Sequence, residues 1–595
     1  MQMKFTKALG LLTCLVLLFS LMGCEEASKR PELSYQAGTY TAAAKGFNGD
    51  VKVAVEFSEA AITTVKVLEH SESAGVSDVP IERIPQEVVN GQTLAVDTVT
   101  GATYTSKALL AAIEDCVTQA GGNVEALKAN KGPENTVKSE KELTTDVVVV
   151  GAGGTGLAAA ISAHQNGAEV IIIEKKAAVG GSTALSGGGI SATGTKFQKE
   201  LGINDSKASW MNLWKERQAT SNPDGKYPDY NRLDPFMDAA VVTTEWLVDY
   251  AGHAYGSVTG FGVDADERIH FPEEKGNTKG GTVMTQNLEN FIRSQENIEL
   301  FTETRGTELI TNDKGDIVGV MAEDKDSIIK INAKKVILAT GGYAKSEELL
   351  ERFIPEAVGT TELSIAAAGS TGDGILMAEE IGAALYEEPW VIGVGVATKV
   401  PGTGALGMDW TRVYVNEKGE RFANEQSHYA VITNKLLQQE QPWLIADSTD
   451  VELAKTLEAA MPSEEVIKAD SFAELAKAMN VPESTLAKTM ETFNNGVKSG
   501  VDAMGKEKTY QVAVEKAPYY AIKIYPRTMG TFAGVKTDDN YRVLRSDGSI
   551  IDNLYAGGEC SNKVFYNQVY MSGSAVQVAL TSGRLAGEHA AQNLQ

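Results

Sequence analysis

The stretch that decides the fold is residues 146–176, which read DVVVVGAGGTGLAAAISAHQNGAEVIIIEKK. Its first apolar run predicts a buried strand, and the glycines that follow have the spacing Gly-x-Gly-x-x-Gly. Small residues then continue as a helix to about Asn166, and a second apolar run, 170–173, ends at Glu174. Strand, glycine turn, helix, strand and acid in this order predict a dinucleotide-binding unit of the Rossmann type.

The glycines and the acid of such a unit have separate chemical roles. The glycines allow a tight turn and the close approach of a pyrophosphate, whose charge meets the start of the helix. The acid can accept hydrogen bonds from the ribose hydroxyls. The cofactor-binding residues predicted in this stretch are Gly151, Gly153, Gly154, Thr155, Gly156, Glu174 and Lys175.

Three further segments indicate which dinucleotide is bound. The glycine-rich run VGGSTALSGGGI, 179–190, comes soon after the second strand and suits an isoalloxazine and ribityl chain lying along the backbone. KKVILATGGYAK, 334–345, is a strand that leads into two glycines, and NLYAGGEC, 553–560, carries an acid ahead of a final helix. We therefore expect non-covalently bound FAD. The contacts predicted in these segments are Gly181, Ser182, Thr183, Gly187, Gly188, Gly341, Gly342 and Glu559.

Taken together, these segments resemble the FAD-dependent fumarate reductase and succinate dehydrogenase flavoprotein superfamily over about residues 145–593. GSTGDGILMAEEIGA, 369–383, is similar to the TGDG segment of that superfamily. GERFANE, 419–425, is similar to the G-x-R-F-x-N-E of its cap domain.

The resemblance implies the fold class, which is α/β. A Rossmann-type FAD domain, 145–385 and 527–595, would be interrupted by an α+β cap domain, 386–526, with the active site between the two. The superfamily pattern adds four expected FAD contacts, which are Asp373, Ser574, Ala575 and Val576.

A small α+β unit, 36–128, precedes the FAD domain. Residues 36–70 alternate in period two, which is typical of paired antiparallel strands, and 105–122 has an apolar helical face. DTVTGATYTS, 97–106, resembles the signature D-x-x-[ST]-G-A-[ST] of the FMN-binding domain of extracytoplasmic redox proteins. In that family a flavin transferase links FMN through its phosphate to the last hydroxyl of the motif. The resemblance therefore implies covalent FMN on Thr103 and a flavin transferase as a partner.

Residues 1–23 have the pattern of a lipoprotein signal peptide. Two lysines precede a short apolar run that ends in LMGC, and this ending resembles a bacterial lipobox. The resemblance implies cleavage before Cys24 and lipidation of that cysteine, which would anchor the protein to the membrane outside the cytoplasm. The alternative is an uncleaved N-terminal anchor. Residues 24–35 are predicted to be a tether and 129–144 a linker.

Composition excludes several classes of function. The 595 residues carry a formal net charge of −25, so nucleic acid is not an expected partner. Of the four cysteines, only Cys116 and Cys560 lie outside the signal and the lipidation site, so no disulfide framework is expected. The chain has no CxxC or CxxCH motif, and its histidines form no metal-binding pattern, so we expect no haem, iron–sulfur cluster or metal.

The active-site residues of fumarate reductases are replaced in this chain. By resemblance, the proton-donating arginine of the cap falls at Tyr429, the substrate arginine near the final helix at Tyr570, and a substrate histidine at Arg527. Tyrosine does not replace a bidentate arginine–carboxylate pair, so a dicarboxylate is disfavoured. The two tyrosines match positions used in flavin-dependent 3-ketosteroid dehydrogenases, although Ser574 stands where that branch has glycine.

The preferred hypothesis is a membrane-anchored reductase that passes electrons from a membrane donor through FMN and FAD to a neutral enone such as a 3-oxosteroid. Tyr570 would hydrogen-bond the developing enolate oxygen and Tyr429 would protonate the α-carbon. One alternative is an unsaturated carboxylate, urocanate-, cinnamate- or fumarate-like, bound by Arg527. Another is a surface electron carrier, and the direction of hydride transfer stays open. His270 and His428 are interpreted as structural.

Overall fold

The structure is a computed structural model that describes residues 34–72, 77–99, 102–130 and 138–594, apart from the side chain of Thr103. The described residues form two compact units, an N-terminal one up to residue 130 and a larger one made almost entirely of 138–594. The predicted signal peptide, Cys24 and nearly all of the predicted tether lie outside these residues. Over the described ranges, no helix has the length and apolar character needed to span a membrane.

The N-terminal unit is a three-stranded antiparallel sheet covered by helices. Its strands are β1 (Gly38–Lys45), β2 (Asp50–Phe57) and β3 (Ile62–Glu69), paired in that order. Its helices are α1 (Asp78–Gly91), α2 (Thr103–Gln119) and α3 (Val124–Ala129). Alternate residues of β2 are buried against α2, as the period-two pattern predicts.

The larger unit contains the remaining strands and helices. Its strands are β4 (Ser139–Val150), β5 (Val170–Ile173), β6 (Ile190–Ser191), β7 (Tyr255–Phe261), β8 (Asp264–Pro272), β9 (Ile298–Phe301), β10 (Arg305–Thr311), β11 (Ile317–Glu323), β12 (Ser327–Leu338), β13 (Trp390–Ala397), β14 (Val413–Val415), β15 (Trp443–Asp447), β16 (Val466–Ala469), β17 (Tyr519–Lys523), β18 (Tyr525–Phe532), β19 (Arg542–Leu544) and β20 (Ile550–Ala556). Its helices are α4 (Gly154–Gln165), α5 (Gly181–Ala184), α6 (Lys196–Glu200), α7 (Lys207–Gln218), α8 (Tyr230–Asp249), α9 (Gly280–Arg293), α10 (Glu347–Phe353), α11 (Asp373–Glu380), α12 (Tyr429–Leu436), α13 (Val451–Ala459), α14 (Phe472–Met479), α15 (Glu483–Ser499) and α16 (Ser574–Gln592).

The main sheet is a parallel, Rossmann-type sheet in the order β9-β5-β4-β12-β20. The hairpin β10–β11 extends it antiparallel to β12, and β19 pairs antiparallel with β20. Helix α16 packs on α4 so closely that a Cβ on Gly583 or Gly587 would lie 2.1 Å from a carbonyl oxygen of α4. These elements confirm the predicted α/β fold.

Strand β4 begins at Ser139, inside the segment 129–144 that was predicted to be a linker. Its first half pairs in parallel with β12, and its charged side chains form ion pairs with β12 and with the turn between β11 and β12. Lys141 lies 3.6 Å from Asp324, and Lys330 lies 3.0 Å from Glu142. The sequence pattern did not indicate this half-strand, because its charged residues are stabilised by cross-strand pairs and not by an apolar face.

The predicted cap segment, 386–526, contains a four-stranded antiparallel sheet in the order β14-β15-β17-β16 together with α12 to α15. Strand β13 of this segment pairs with β18, which runs through the predicted boundary at 526/527. The cap and the second FAD segment are therefore continuous through one strand.

A buried ion-pair cluster explains the G-x-R-F-x-N-E segment. Arg421 lies 2.6 Å from Glu425 and 2.5 Å from Asp502, and Lys506 lies 2.9 Å from Glu425. Glu425 also accepts a hydrogen bond from the Tyr414 amide at 2.9 Å. The arginine and the glutamate of this segment therefore stabilise the cap and do not contact the cleft described below.

We expect Glu425→Gln to lower the free energy of unfolding by about 3–5 kcal/mol, because it leaves two buried cations, Arg421 and Lys506, with Asp502 as their one remaining counter-charge in the cluster. Urea-induced unfolding followed by circular dichroism measures this. The matched control is Glu452→Gln, which breaks an exposed pair with Lys455 and should change stability little. Equal effects of the two variants would contradict the structural role of the cluster.

Candidate active site

A deep cleft opens at the carboxyl ends of β4, β5 and β12, with a cavity volume of about 210 Å³. The glycine turn forms one end of it. Gly151 has φ of +102°, and a Cβ on Gly156 would lie 1.8 Å from the carbonyl oxygen of Gly151. A Cβ on Gly153 would meet no protein atom within 4 Å, so this position leaves free space at the start of α4. That space is where a pyrophosphate fits.

Glu174 ends β5 and lies on the cleft wall. Its carboxylate accepts hydrogen bonds from the amides of Ala152 and Lys176, both at 2.9 Å, which fix its orientation. Burial raises its pKa. The next residue, Lys175, lies 3.1 Å from Asp373 at the start of α11, so these two predicted FAD contacts are paired with each other.

Glu559 lies further along the wall, between two glycines. A Cβ on Gly342 would lie 2.5 Å from its carboxylate, and one on Gly530 would lie 2.8 Å from it. The carboxylate accepts a hydrogen bond from the Thr531 amide at 3.0 Å. Burial raises the pKa of Glu559 to about 7, so near neutral pH it can donate a hydrogen bond into the cleft as well as accept one.

Most of the predicted FAD contacts lie on this wall. They are Gly151, Gly153, Gly154, Thr155, Glu174, Lys175, Gly181, Ser182, Thr183, Gly341, Asp373, Glu559, Ala575 and Val576. An open glycine turn, an acid at the end of the second strand and a wall of small residues fit FAD. FMN fits the N-terminal unit at the start of α2, where Thr103 follows a buried alanine, but the Thr103 side chain lies outside the described residues.

Five predicted contacts are not on the wall, namely Gly156, Gly187, Gly188, Gly342 and Ser574. Three of the glycines, Gly156, Gly188 and Gly342, permit a close approach behind the wall, and a Cβ on Gly188 would lie 2.6 Å from the backbone of Gly280 at the start of α9. Ser574 donates to the Met571 carbonyl at 2.6 Å and accepts from the Tyr566 hydroxyl at 2.8 Å. These five residues do not line the cleft in this structure, and their contact with FAD stays a prediction.

The wall also contains residues that sequence reasoning missed. Gly369 and Ser370 belong to the TGDG segment, so that motif was an available signal. Ile392 and Met529 reach the wall from the paired strands β13 and β18, and no local pattern marks them.

Tyr570 is the predicted catalytic residue that lies on the cleft wall. Its hydroxyl oxygen accepts a hydrogen bond from the Gly573 amide at 3.0 Å. Burial raises the pKa of Tyr570 to about 12, so the hydroxyl keeps its proton at neutral pH. With its oxygen occupied by a backbone donor, the hydroxyl can direct its proton at a bound molecule.

Tyr429, at the start of α12, lies beside Tyr570, as the sequence predicts. The two ring centroids are 5.8 Å apart, and the Tyr429 hydroxyl is hydrogen-bonded to Ser572 Oγ at 3.0 Å. Burial raises the pKa of Tyr429 well above its usual value. Tyr429 does not line the cleft itself, so the structure places it one residue behind Tyr570.

Asp264, at the start of β8, adjoins this pair and was missed by sequence reasoning. It accepts hydrogen bonds from the Ser572 amide and from Arg217 Nε, both at 3.2 Å, and it lies 3.5 Å from His428 Nε2. Burial opposes its ionisation, but the contact with His428 and the hydrogen bonds hold the pKa of Asp264 well below its usual range. A cavity of about 10 Å³, the size of one water, adjoins Asp264 and Ser572.

The two singled-out histidines have different surroundings. His270 is fully buried, bonds Thr195 Oγ1 at 2.9 Å, and has its pKa lowered to about 4 by burial. It is therefore neutral, in line with the predicted structural role. His428 caps α12 by accepting from the Ala430 amide at 3.2 Å, so its Nε2 carries the proton that faces Asp264.

Arg527, on β18, is hydrogen-bonded through its backbone carbonyl to α12, the helix that begins at Tyr429. Its carbonyl accepts from Thr433 Oγ1 at 3.3 Å, and the same hydroxyl is 3.2 Å from the Tyr429 carbonyl and 2.9 Å from the Gly395 amide. Its side chain is half-buried, and its guanidinium has no ion-pair or hydrogen-bond partner within the part of the chain that the structure describes. Arg527 does not line the cleft, and within the described ranges it carries a cation without a protein counter-charge on a strand that is hydrogen-bonded to the helix of Tyr429.

Two family models match the chain. The FAD binding domain family matches residues 146–575, and the FMN-binding domain matches 46–118. Urocanate reductase of Eggerthella lenta is 29% identical over 574 residues, which cover 93% of this chain and 92% of the relative. NADH:acrylate oxidoreductase of Vibrio harveyi is 30% identical over 629 residues, which cover 94% of this chain. The alignment covers 61% of that second relative's length.

Two solved structures of flavoenzymes are also similar to this chain. A flavocytochrome c3 fumarate reductase in its open conformation is 29% identical with a TM-score of 0.60, over 76% of this chain and 79% of that one. A 3-ketosteroid-Δ4-(5α)-dehydrogenase of Rhodococcus jostii, bound to 4-androstene-3,17-dione, is 26% identical with a TM-score of 0.62. The match covers 76% of this chain and 100% of the dehydrogenase chain.

The free space at Gly153 predicts different outcomes for two glycine substitutions. Gly153→Ala should fold but bind FAD about tenfold or more weakly, because its methyl group enters the space for the pyrophosphate. Gly156→Ala should fail to fold stably, because its methyl group would strike the backbone of Gly151. Flavin content and circular dichroism of the purified variants measure both effects. Full FAD occupancy of Gly153→Ala would contradict the placement.

Proposed function

This chain belongs to the FAD binding domain family and carries an additional FMN-binding domain, and from that premise we propose that it is a flavin-dependent reductase of the C=C bond of an α,β-unsaturated monocarboxylate. The colinear likeness to a urocanate reductase over nearly the full length of both chains supports this class of substrate. The likeness to the steroid dehydrogenase covers 76% of this chain, whereas the likeness to the urocanate reductase covers 93% of it. The comparisons therefore favour the carboxylate alternative over the neutral enone that the sequence suggested first.

The observation that carries the proposal is the unpartnered guanidinium of Arg527. A half-buried cation without a protein counter-charge attracts an anionic group of a ligand, and arginine suits a carboxylate because it can donate two parallel hydrogen bonds. Tyr570 and Tyr429 replace the other cations expected for a dicarboxylate. One arginine and two phenols match a substrate with a single carboxylate and a flat, weakly polar remainder.

The mechanism assigns each side chain a separate task. Arg527 holds the substrate carboxylate, and Tyr570 donates a hydrogen bond to the oxygen on which negative charge develops. FAD, when bound, supplies the hydride for the β-carbon with electrons that arrive through FMN. On this proposal Tyr429, which lies behind Tyr570 in this structure, reaches the α-carbon and supplies its proton when substrate is bound, and its hydroxyl is reprotonated through Ser572 from the water-sized cavity beside Asp264. The high pKa of both phenols keeps these protons in place until the substrate accepts them.

A neutral enone is the second candidate. Tyr570, with its oxygen held by the Gly573 amide, has the geometry of a single hydrogen-bond donor for a ketone. The likeness to the steroid-bound dehydrogenase supports this class of substrate. For this substrate Arg527 would have no binding role, which is how the two candidates are separated.

We also propose that the protein works outside the cytoplasm, attached to the membrane through lipidated Cys24. The lipobox-like LMGC and the covalent attachment predicted for FMN at Thr103 support this, because a flavin lost outside the cell cannot be recovered. A flavin transferase and a membrane electron donor are the partners that this arrangement needs.

Arg527→Met should raise KM for urocanate, cinnamate or acrylate about 10- to 100-fold, the effect expected when a charged hydrogen bond is removed. Reoxidation of the chemically reduced holoenzyme under anaerobic conditions measures this. Arg293→Met, at an exposed ion pair on α9, serves as the control and should behave like wild type.

The same assay on a 3-oxo-Δ4 steroid separates the candidates. On the carboxylate proposal the steroid reoxidises the flavins slowly, if at all, in both wild type and Arg527→Met. Fast turnover of the steroid that is unaffected by Arg527→Met, with no turnover of any acid, would contradict the proposal in favour of the enone.

Asp264→Asn should lower kcat roughly tenfold with little change in KM, because Asp264 positions Ser572 and His428 around the Tyr429 hydroxyl and does not line the substrate space. Steady-state kinetics with the preferred acid measure this. Asp266→Asn is the matched control, since Asp266 borders the same small cavity but is exposed. A rise in KM without a fall in kcat would show that Asp264 shapes substrate binding instead.

A further inference from the structure

Two aromatic rings stand exposed on the N-terminal unit, where a covalent flavin is expected. Phe47 is 70% exposed and Tyr104 is 66% exposed. Their ring centroids are 5.8 Å apart, with an angle of 49° between the ring planes. Tyr104 immediately follows Thr103, the predicted FMN attachment residue, whereas Phe47 comes from the β1–β2 turn. Exposed apolar rings that meet from distant segments are typical of a binding surface.

The buried side chain of Glu72 holds this pair together. Its carboxylate accepts hydrogen bonds from the amides of Phe47 at 3.2 Å and Asn48 at 2.8 Å, and also from Thr105 Oγ1. One acid therefore joins the turn that carries Phe47 to the first turn of the helix that carries Tyr104. Gly46 is required for this contact, because a Cβ there would lie 2.6 Å from the Glu72 carboxylate.

We propose that Phe47 and Tyr104 form the seat of the isoalloxazine ring of the FMN attached to Thr103. The occupant is a flat aromatic ring tethered one residue from Tyr104, so it is always within reach of the pair. Stacking on an aromatic side chain stabilises such a ring and covers apolar surface that is otherwise in water. The tilt between the two rings lets one contact the isoalloxazine face and the other its edge.

This seat does not depend on which alkene the FAD domain reduces. It rests on the FMN-binding domain match over residues 46–118, a range that contains both aromatic residues. Its function is to hold a tethered flavin in one orientation for electron transfer. A phenol stacked on a flavin also quenches the flavin fluorescence, so the seat has a direct optical signature.

The test uses native holoenzyme and time-resolved flavin fluorescence. Thr103→Ala identifies the decay component of covalent FMN, because that variant should lose it while FAD remains. Tyr104→Leu should lengthen the FMN lifetime severalfold at unchanged covalent flavin content, and Tyr104→Trp should restore the quenching. Phe47→Leu should increase the quenching of FMN fluorescence by iodide, because the ring becomes more accessible. Leu68→Ala, at another exposed apolar residue of the unit, is the control and should change neither quantity.

Unchanged lifetime and iodide accessibility in fully flavinylated Tyr104→Leu and Phe47→Leu would overturn the proposal. Folded variants that lack covalent flavin would also overturn it, since the pair would then be a contact for the flavin transferase. Circular dichroism separates that outcome from misfolding. Covalent flavin retained in Thr103→Ala would overturn it too, by moving the attachment away from Tyr104.

Discussion

The cleft depends on backbone segments that approach each other more closely than any side chain allows. Gly156 lies against the carbonyl of Gly151, and Gly583 and Gly587 lie against carbonyls of α4. These contacts bring the start of α4, the end of β4 and the final helix α16 to one place. Because α16 begins shortly after Tyr570 and Ser572, the same backbone packing that shapes the dinucleotide turn also positions Tyr570.

Around Tyr429 and Arg527, backbone segments are joined by a side-chain hydroxyl and not by close packing at a glycine. Thr433 Oγ1 contacts the carbonyls of Tyr429 and Arg527 and the amide of Gly395, which has φ of +88°. One side chain thus links the tyrosine helix α12 to both strands of the β13–β18 pair. Arg527 and Tyr429 are held at fixed relative positions by their backbones, while their side chains stay available for chemistry.

Sequence reasoning succeeded where the signal is local and failed where it is not. Strand β5, the helix after the glycine turn and Glu174 are marked within about thirty residues, because turn, helix start and acid must be close in the chain to bind one cofactor. Asp264 has no such mark, since it meets Ser572 and His428 only after β8, α12 and α16 have packed. The sequence does not distinguish glycines that line the cleft from those that pack behind it, such as Gly188, because glycine allows close packing as readily as ligand contact. The start of β4 was missed because its stabilisation comes from charges on neighbouring strands.

The distribution of charge around the two tyrosines gives the strongest argument about the chemistry. Burial raises the pKa of both phenols, and the ionised Asp264 behind them adds to this by disfavouring a second negative charge, so neither phenol is stable as a phenolate. Such phenols act as acids that are quickly reprotonated, which suits the addition of a proton to a reduced carbon better than its removal. If Arg527 binds the substrate as proposed, its positive charge would stabilise an anionic group of the substrate and the charge that develops on it. On that proposal a buried anion behind the phenols and a cation at the substrate together favour reduction of an unsaturated acid, and this polarity follows from positions that no single motif contains.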